Sequence, residues 1–257
     1  MLHGLQLKLL RRISPSGPSS LSGAAYASKS KLEILLGKEF LRSMVGKTVI
    51  DFGCGEGAEA IDLALQGARC VIGIDIREDL LELARQRALV AGVHHLCRFS
   101  TCATELADII VSLDAFEHFD NPAEILRTMY TLLKPQGEVV ASFGPTWYHP
   151  LGGHLFSVFP WAHLIFSEKA LIEWRSGFKS DGARTFSEVA GGLNQMTIRG
   201  FERIIAASPF CLSKLDLVPI RKVRLLHNRW TREFTTAVVR CRLVKKPSRS
   251  SEISPAA

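Results

Sequence analysis

The chain has 257 residues, of which 47% are hydrophobic, and a formal net charge of +7 at pH 7. Such a chain is long enough to bury one sizeable core, and we expect a single domain. No apolar run reaches the roughly 20 residues that a membrane-spanning helix requires, which argues against a transmembrane protein. The six cysteines form no C-x-x-C pair, so we expect a reducing, cytoplasmic compartment and no zinc knuckle.

The two ends of the chain differ in composition from its middle. Residues 1–29 are basic and serine-rich and contain no acid. We interpret them as a flexible basic leader, with a mitochondrial presequence as the alternative. Residues 246–257 are polar and contain proline, which predicts a disordered tail. The folded domain is therefore predicted over residues 30–245.

Apolar periodicity predicts alternating helices and strands over this domain. In chain order, the predicted elements are an amphipathic helix over residues 30–43, strands over residues 48–50, 70–76, 96–99, 107–113 and 137–143, and connecting helices over residues 58–65, 78–91 and 122–133. This order is typical of a parallel sheet with helices on both faces.

An acid and three glycines follow the first predicted strand in the stretch VIDFGCGEG, residues 49–57. Glycine permits positive φ and close approach of a ligand to the backbone, so the turn opens the next helix to a ligand at its N-terminus. A tight glycine connection of this kind also occurs in α/β domains that bind nothing there. Asp75, at the end of the second strand, lies where an acid can accept the hydroxyls of a ribose. Together the two features favour a nucleotide binder without identifying the nucleotide.

Two further motifs complete a known pattern. Residues 108–119 (DIIVSLDAFEHF) carry an aspartate followed by the pair Glu117-His118, and residues 132–138 (LLKPQGE) lead into the fifth strand. With the glycine turn, these motifs resemble the class I S-adenosylmethionine-dependent methyltransferases over residues 30–145. The resemblance implies a Rossmann-like, seven-stranded, mostly parallel sheet with helices on both faces and an antiparallel C-terminal strand. Residues 212–220 and 234–244 would supply the last two strands.

The resemblance also implies a site for S-adenosylmethionine. Asp51 would orient the charged methionine end and Asp75 would hold the ribose. Family members commonly place an acid near the adenine after the third strand, whereas this chain has Ser100-Thr101-Cys102-Ala103, so backbone amides or the Thr101 hydroxyl would contact the base. The predicted cofactor-binding residues are Asp51, Gly53, Cys54, Gly55, Asp75, Ile76, Thr101, Cys102, Leu113 and Asp114.

The segment after the fifth strand is rich in aromatic residues, histidine, glycine and proline. We predict an aromatic lid over about residues 144–195, with Gly152-Gly153 as its hinge. An apolar helix pair that covers the sheet is the alternative. His149 and His154 are the candidate general bases, and His118 is a third, although the resemblance assigns the Glu-His pair more often to the pocket wall. No metal site is predicted, because the lid histidines lack a tight i, i+4 pair and have no acid or cysteine among them.

These observations predict a methyltransferase that acts on oxygen in a small, hydrophobic or aromatic acceptor. The alternatives are a nicotinamide-dependent reductase and a catalytically silent domain that binds lipid or a partner. The aromatic segment also suits peripheral contact with a membrane, and the arginines of residues 221–242 suit either a solvated face or an anionic partner. Nucleic acid is disfavoured, because base-stacking aromatics are not interleaved with this charge. The sequence does not predict an oligomeric state.

Overall fold

The computed structural model describes residues 2–15, 30–189 and 191–247. Within these residues the chain forms a seven-stranded sheet in the order β3-β2-β1-β4-β5-β7-β6. The strands are β1 (Thr48–Phe52), β2 (Cys70–Ile74), β3 (Cys97–Ser100), β4 (Ala107–Leu113), β5 (Leu133–Phe143), β6 (Phe210–Pro219) and β7 (Thr236–Lys245). β1 to β5 are parallel, and β7 runs antiparallel between β5 and β6. The predicted fold class is confirmed.

Helices cover both faces of the sheet. They are α1 (Leu2–Ile13), α2 (Lys31–Leu36), α3 (Lys38–Ser43), α4 (Ala58–Leu65), α5 (Glu78–Val90), α6 (Pro122–Leu132), α7 (Ala162–Ile165), α8 (Glu168–Arg175), α9 (Ile198–Ala207) and α10 (Arg232–Thr235). One apolar cluster packs the helices from α2 through α5 against one face of the sheet. A second cluster packs α6 and α9 against the other face. The strand order reverses between β1 and β4, so the carboxyl ends of these strands border a crevice of the kind that holds ligands in open α/β sheets.

The junction between α6 and β5 shows how local sequence signals set element boundaries. Asn121 caps α6 by accepting a hydrogen bond from the backbone of Glu124, with Pro122 in the first turn, as the sequence predicts. The strand begins earlier than predicted, at Leu133 rather than Gly137. Its pairing with β4 shifts register between Leu133 and Glu138, and this irregularity accommodates the intervening residues within the strand.

The first residues of the chain correct the prediction of a flexible leader. Leu7 and Leu10 of α1 are buried in a third apolar cluster with residues of α7 and α8. Ser167 donates a hydrogen bond to Gln6 (2.8 Å), and the Trp174 indole donates one to the Ser14 carbonyl (2.9 Å). Residues 2–15 are therefore packed against partners far along the chain, which no local pattern reveals. Residues 16–29 and 248–257 lie outside the described residues.

The predicted lid contains α7 and α8 and encloses part of this third cluster. Phe156 and Trp174 are buried in it, and Trp147 packs on Phe186 with ring centroids 5.5 Å apart. This arrangement favours the alternative of a packed helical cover. A Cβ at Gly152 would lie 2.3 Å from the Thr146 carbonyl oxygen, and one at Gly153 would lie 2.4 Å from the His163 Cβ. The glycine pair thus serves close packing, which argues against its predicted use as a hinge.

No helix in the described parts of the chain combines the length and the apolar character needed to cross a bilayer.

The docking of α1 predicts unequal effects of two neighbouring leucines. Leu10 is fully buried, whereas Leu9 is 46% exposed. Leu10→Ala should lower the free energy of unfolding by about 2–5 kcal/mol, because it leaves a cavity beneath the helix. Leu9→Ala should change it by less than about 0.5 kcal/mol. Urea denaturation followed by circular dichroism measures both values, and equal effects would show that α1 is not docked through this face.

Candidate functional site

The turn between β1 and α4 is held by hydrogen bonds to β2. The Ile74 carbonyl accepts from the amides of Gly53 (2.8 Å) and Cys54 (3.0 Å). Gly53, Gly55 and Gly57 have φ values of 84°, 51° and 79°, in the left-handed region that favours glycine. The sequence places three glycines where the chain must turn sharply, and the hydrogen bonds to β2 hold the turn in this conformation.

Only one of these three glycines borders open space. A Cβ at Gly53 would lie 2.9 Å from the Ala115 Cβ, and one at Gly57 would lie 2.7 Å from the Ala84 Cβ. A Cβ at Gly55 would meet nothing within 4 Å. Gly53 and Gly57 therefore pack against the fold, while Gly55 leaves room for a ligand beside the backbone.

Asp75 lies directly across the turn. Its Oδ2 accepts a hydrogen bond from the Gly55 amide (2.9 Å), and its Oδ1 accepts two from Arg77, one from the amide (3.0 Å) and one from Nε (3.3 Å). A carboxylate has about four lone-pair positions, so this side chain retains capacity for a ligand hydroxyl. Ile76 follows and is 90% exposed, which provides an apolar surface beside the carboxylate.

Asp51, at the end of β1, is a buried acid with an unsatisfied oxygen. Its side chain is almost fully buried, and Oδ2 has no hydrogen-bond partner. Burial, followed by the nearby charge of Glu59, raises the pKa of Asp51 to about 8. A buried carboxyl in this state is favourable for a cationic ligand, because a positive charge stabilises its ionised form.

Lys31 joins two acids across the mouth of the crevice. Its Nζ lies 2.8 Å from Glu59 Oε1 and 2.9 Å from Asp114 Oδ2. Burial lowers the pKa of Lys31, but the charges of Asp114 and Glu59 outweigh this and hold the pKa above its usual range. The sequence analysis misses Lys31 and Glu59. The available signals were a lysine at the start of α2 and a glutamate in the first turn of α4, which resemble ordinary solvated charges.

Glu117 connects the ends of β4 and β5. Its Oε1 accepts a hydrogen bond from the Gly144 amide (3.1 Å), whereas Oε2 is buried without a partner. Burial raises the pKa of Glu117 to about 8. Asp114, which precedes the Phe116–His118 turn, has a φ of 51° and is thus held in a backbone conformation that few non-glycine residues adopt.

The acids of this crevice outnumber its cations. Asp51 interacts electrostatically with Glu59, Lys31 and Asp75, and Glu117 interacts with Asp114 and Lys31. Among these groups Lys31 is the cation. The crevice therefore suits a ligand that carries positive charge of its own.

The predicted adenine side is more open. Thr101 and Cys102 are exposed after β3. The side chains of Cys54 and Leu113 are packed in the apolar core, and burial raises the pKa of the Cys54 thiol. The core packing of these two side chains argues against their use as side-chain contacts of a ligand.

His118 and His154 lie together, with ring centroids 5.4 Å apart. His118 Nδ1 lies 2.8 Å from the Gly192 carbonyl oxygen, to which it donates in the matching tautomer. The Pro145 backbone partly offsets the fall in the pKa of His154 that burial causes, and the buried His154 Nε2 has no hydrogen-bond partner. Burial lowers the pKa of His154 to about 4, so the ring is neutral at pH 7. Its Nε2 is therefore an unused proton acceptor.

His149 has the opposite arrangement. Its Nδ1 accepts a hydrogen bond from the Leu151 amide (2.9 Å), which places the ring proton on Nε2. Burial, followed by the charge of His163, lowers the pKa of His149 to about 4. The acceptor nitrogen is already used, so this geometry favours His154 and His118 over His149 as proton acceptors. The ring of neighbouring Tyr148 packs 5.5 Å from Phe234.

The fold and the crevice define an α/β domain with a candidate cofactor site at the carboxyl ends of its parallel strands. The family described as "Methyltransferase domain" matches residues 43–146. Over these residues the chain carries a methyltransferase domain, as the sequence motifs predict, and this match supports S-adenosylmethionine as the cofactor.

Similar proteins agree with this assignment. The ubiquinone biosynthesis O-methyltransferase of Stutzerimonas stutzeri is 39% identical over 106 residues, which cover 39% of this chain and 45% of that protein. The chain thus spans less than half the length of this curated relative. An S-adenosylmethionine-dependent methyltransferase from Mesorhizobium loti shares the fold with a TM-score of 0.51 and 18% identity, over 80% of this chain and 96% of that one. The PH0226 protein from Pyrococcus horikoshii shares the fold with a TM-score of 0.55 and 17% identity, over 92% of this chain and 98% of that one.

The residues of the crevice fit the cofactor of this family. S-adenosylmethionine carries a sulfonium and an ammonium cation, which match the unpaired oxygens of Asp51 and Glu117. Its ribose hydroxyls match the free capacity of Asp75, and the open space at Gly55 admits the ligand beside the turn. The described residues contain no group of three or more His, Cys, Asp or Glu side chains that could hold a metal ion.

The glycine turn predicts that two similar substitutions have different consequences. Gly55→Ala should reduce affinity for S-adenosylhomocysteine by about tenfold or more, because the new methyl group enters the ligand's space. The fold should persist with a modest loss of stability, since a φ of 51° strains alanine but nothing in the described part of the protein lies within 4 Å of that position. Gly57→Ala should instead lower the melting temperature, because its Cβ would meet Ala84 at 2.7 Å. Titration calorimetry and thermal unfolding separate the two effects, and loss of folding in Gly55→Ala would contradict this account.

Asp51 and Glu117 predict that cofactor binding releases protons. Both carboxyls have pKa values raised to about 8, so at pH 7 most molecules carry them protonated. A bound cation favours the ionised form, and affinity for S-adenosylmethionine should therefore rise as the pH is raised toward about 8. Calorimetry in buffers of different ionisation enthalpy counts the released protons. Asp51→Asn should remove part of the release, whereas Asp79→Asn, at an exposed position of α5, should not change it.

The same two groups set the pH dependence of stability without cofactor. Between about pH 6.5 and pH 8 these two groups bind more protons in the folded state than in the unfolded chain, because their folded pKa values are the higher ones. Below about pH 6.5 the lowered pKa values of His149 and His154 oppose this difference. The free energy of unfolding should therefore fall as the pH rises from about 6.5 to about 8, and Asp51→Asn should flatten the fall. Stability that increases over this range in the native chain, with no proton release on binding, would refute the assignment.

Proposed function

We propose that this chain transfers a methyl group from S-adenosylmethionine to a hydroxyl oxygen of a small hydrophobic or aromatic acceptor. The class of the domain supports methyl transfer. The name of the Stutzerimonas relative, a ubiquinone biosynthesis O-methyltransferase, supports oxygen as the target. That sequence similarity covers less than half of either chain, so the class of acceptor is inferred from the residues around the site.

The observation that carries the proposal is an unused proton acceptor beside the acidic crevice. His154 is neutral, its Nε2 has no partner, and its ring packs 5.4 Å from that of His118. The neighbour of His118, Glu117, bonds the Gly144 amide, and Gly144 adjoins Pro145, the backbone partner of His154. The histidine pair is therefore connected directly to the wall of the cofactor crevice.

Each group in this arrangement has a defined task. S-adenosylmethionine supplies a methyl group that its sulfonium charge has already activated. Asp51 and Asp75 hold the cofactor's charged end and its ribose, and the aromatic cover of residues 144–195 keeps water from the reacting oxygen. His154, or His118 beside it, accepts the proton of the acceptor hydroxyl at Nε2.

A catalytically silent domain that binds lipid or a partner is the second candidate. The exposed aromatic and basic residues of the β6–β7 connection favour it, because they offer a binding surface that methyl transfer does not require. The match of residues 43–146 to a methyltransferase domain disfavours the nicotinamide-dependent reductase that the sequence left open. Incubation of the chain with a metabolite extract and deuterated-methyl cofactor, followed by mass spectrometry, distinguishes the two candidates. Cofactor binding without label transfer to any metabolite would favour the silent domain.

The histidine geometry predicts which substitution stops the chemistry. His154→Asn should retain cofactor affinity yet lower kcat by about 10²-fold or more, because the proton acceptor is lost. Asparagine is chosen because His154 has a φ of 50°, a conformation that asparagine tolerates. In the native chain kcat should rise with pH through about 4, the pKa of His154, rather than near the usual value of a histidine.

His149→Asn is the matched control. The Nδ1 of His149 already accepts from Leu151, so kcat should persist in this variant even if stability falls. His118→Asn tests the neighbouring ring. Normal turnover in both the His154 and the His118 variants would show that alignment alone drives the transfer, and a selective loss in His149→Asn would overturn the ranking of the three histidines.

A further inference from the structure

The connection between β6 and β7, residues 220–235, lies at the same edge of the sheet as the cofactor crevice. β7 runs antiparallel to β5, and Val239 near its start pairs with Phe143 at the end of β5. A Cβ at Gly144 would lie 2.6 Å from the Ala237 carbonyl oxygen. Tyr148 of the aromatic cover packs on Phe234 of the connection. The connection therefore borders the acceptor side of the site.

This connection exposes large apolar side chains. Leu225 is 100% exposed, Leu226 62% and Trp230 71%. Single exposed leucines are common on protein surfaces, but three large apolar residues within six positions make a patch that water solvates poorly. The described part of the chain supplies no side chain that covers them.

Unpaired cations surround these apolar residues. Residues 220–232 contain no acid. Four exposed basic residues have no carboxylate partner in the described part of the chain, namely Arg221, Lys222, Arg224 and Arg229. The Arg229 guanidinium stacks on the Trp230 ring at 4.6 Å. The patch is therefore apolar at its tips and positive around them.

Two other charges attach the connection to the domain. Arg232 forms two hydrogen bonds with the Glu202 carboxylate on α9, of 2.7 and 2.6 Å. Glu233 accepts from the amides of Ile198 (3.0 Å) and Arg199 (2.9 Å) at the start of α9. The patch is thus fixed to the body of the protein, and these acids do not neutralise the four outer cations.

We propose that this patch docks the protein on the surface of an anionic lipid bilayer. Leucine and tryptophan side chains insert at the boundary between headgroups and acyl chains, and the four cations pair with anionic headgroups. A bilayer matches both features, whereas the patch offers one stacking ring and no groove for a nucleic acid strand. Docking at this edge would let a hydrophobic acceptor enter the site from the membrane, and this link rests on the proposed function. The docking itself does not depend on the proposed function.

Vesicle binding tests the proposal without cofactor or acceptor, so its result is separate from that of methyl transfer. The native chain should co-sediment with vesicles of phosphatidylcholine and phosphatidylglycerol, bind vesicles of phosphatidylcholine alone far less, and dissociate as salt is raised. Tryptophan fluorescence should shift to the blue on binding. Most of this shift should be absent in Trp230→Phe.

Substitutions locate the docking surface. The triple variant Arg221→Gln, Lys222→Gln and Arg224→Gln should lower the partition coefficient by about 10²-fold, because each juxtamembrane cation contributes roughly fivefold. Leu225→Asp with Leu226→Asp should weaken binding as well.

The charge control replaces three exposed cations on other elements by glutamine: Arg42, Arg127 and Lys214. The apolar control changes Leu89 and Val90, both exposed at the end of α5, to aspartate. Neither control should weaken binding appreciably.

Four results would overturn the proposal. The first is equal binding to neutral and anionic vesicles. The second is a loss of binding in the controls that equals the loss in the patch variants. The third is a dependence on Leu5 and Leu9, exposed on α1, instead of on the patch. The fourth is binding of the patch to an oligonucleotide or to a second copy of the chain in the absence of vesicle binding, read by gel shift and by sedimentation velocity.

Discussion

The site depends on one set of hydrogen bonds, through which β2 fixes the turn that follows β1. A single carbonyl, that of Ile74, receives two amides of the turn, and the Asp75 carboxylate receives a third. These bonds hold the backbone in the left-handed conformations that the glycines allow. The open face at Gly55 and the Asp75 carboxylate are consequently positioned by the same set of hydrogen bonds. A change in the pairing of β1 and β2 would displace both at once.

Sequence reasoning succeeds where the signal is local. The glycine turn after Asp51, the cap at Asn121 and the alternation of strands and helices follow from periodicity and from a family pattern confined to neighbouring residues. It fails where the partner is distant. Lys31 is a surface lysine in the sequence and the bridge between Glu59 and Asp114 in the fold. Gly152 and Gly153 suggest freedom of motion in the sequence, yet each has no room for a Cβ because residues brought together by folding lie against it.

Protonation is the property that sequence describes least. Three histidines of similar appearance differ in the fold, because Gly192 offers a carbonyl to His118 and Leu151 offers an amide to His149, whereas the buried Nε2 of His154 has no partner. The carbonyl leaves Nε2 able to accept a proton, and the amide leaves it protonated. The choice is set by main-chain groups whose direction depends on tertiary structure. Burial lowers the pKa of His149 and of His154, and both rings are therefore neutral at pH 7.

The docked position of α1 has a consequence for the order in which the chain folds. Its polar partners on α8, Ser167 and Glu173, lie 161 and 170 residues further along the chain. During synthesis α1 therefore emerges well before its binding surface, which is completed only when α8 has left the ribosome. Until then Leu7 and Leu10 of a basic helix remain without their apolar partners. Attachment of α1 thus requires α7 and α8 of the aromatic cover to be in place.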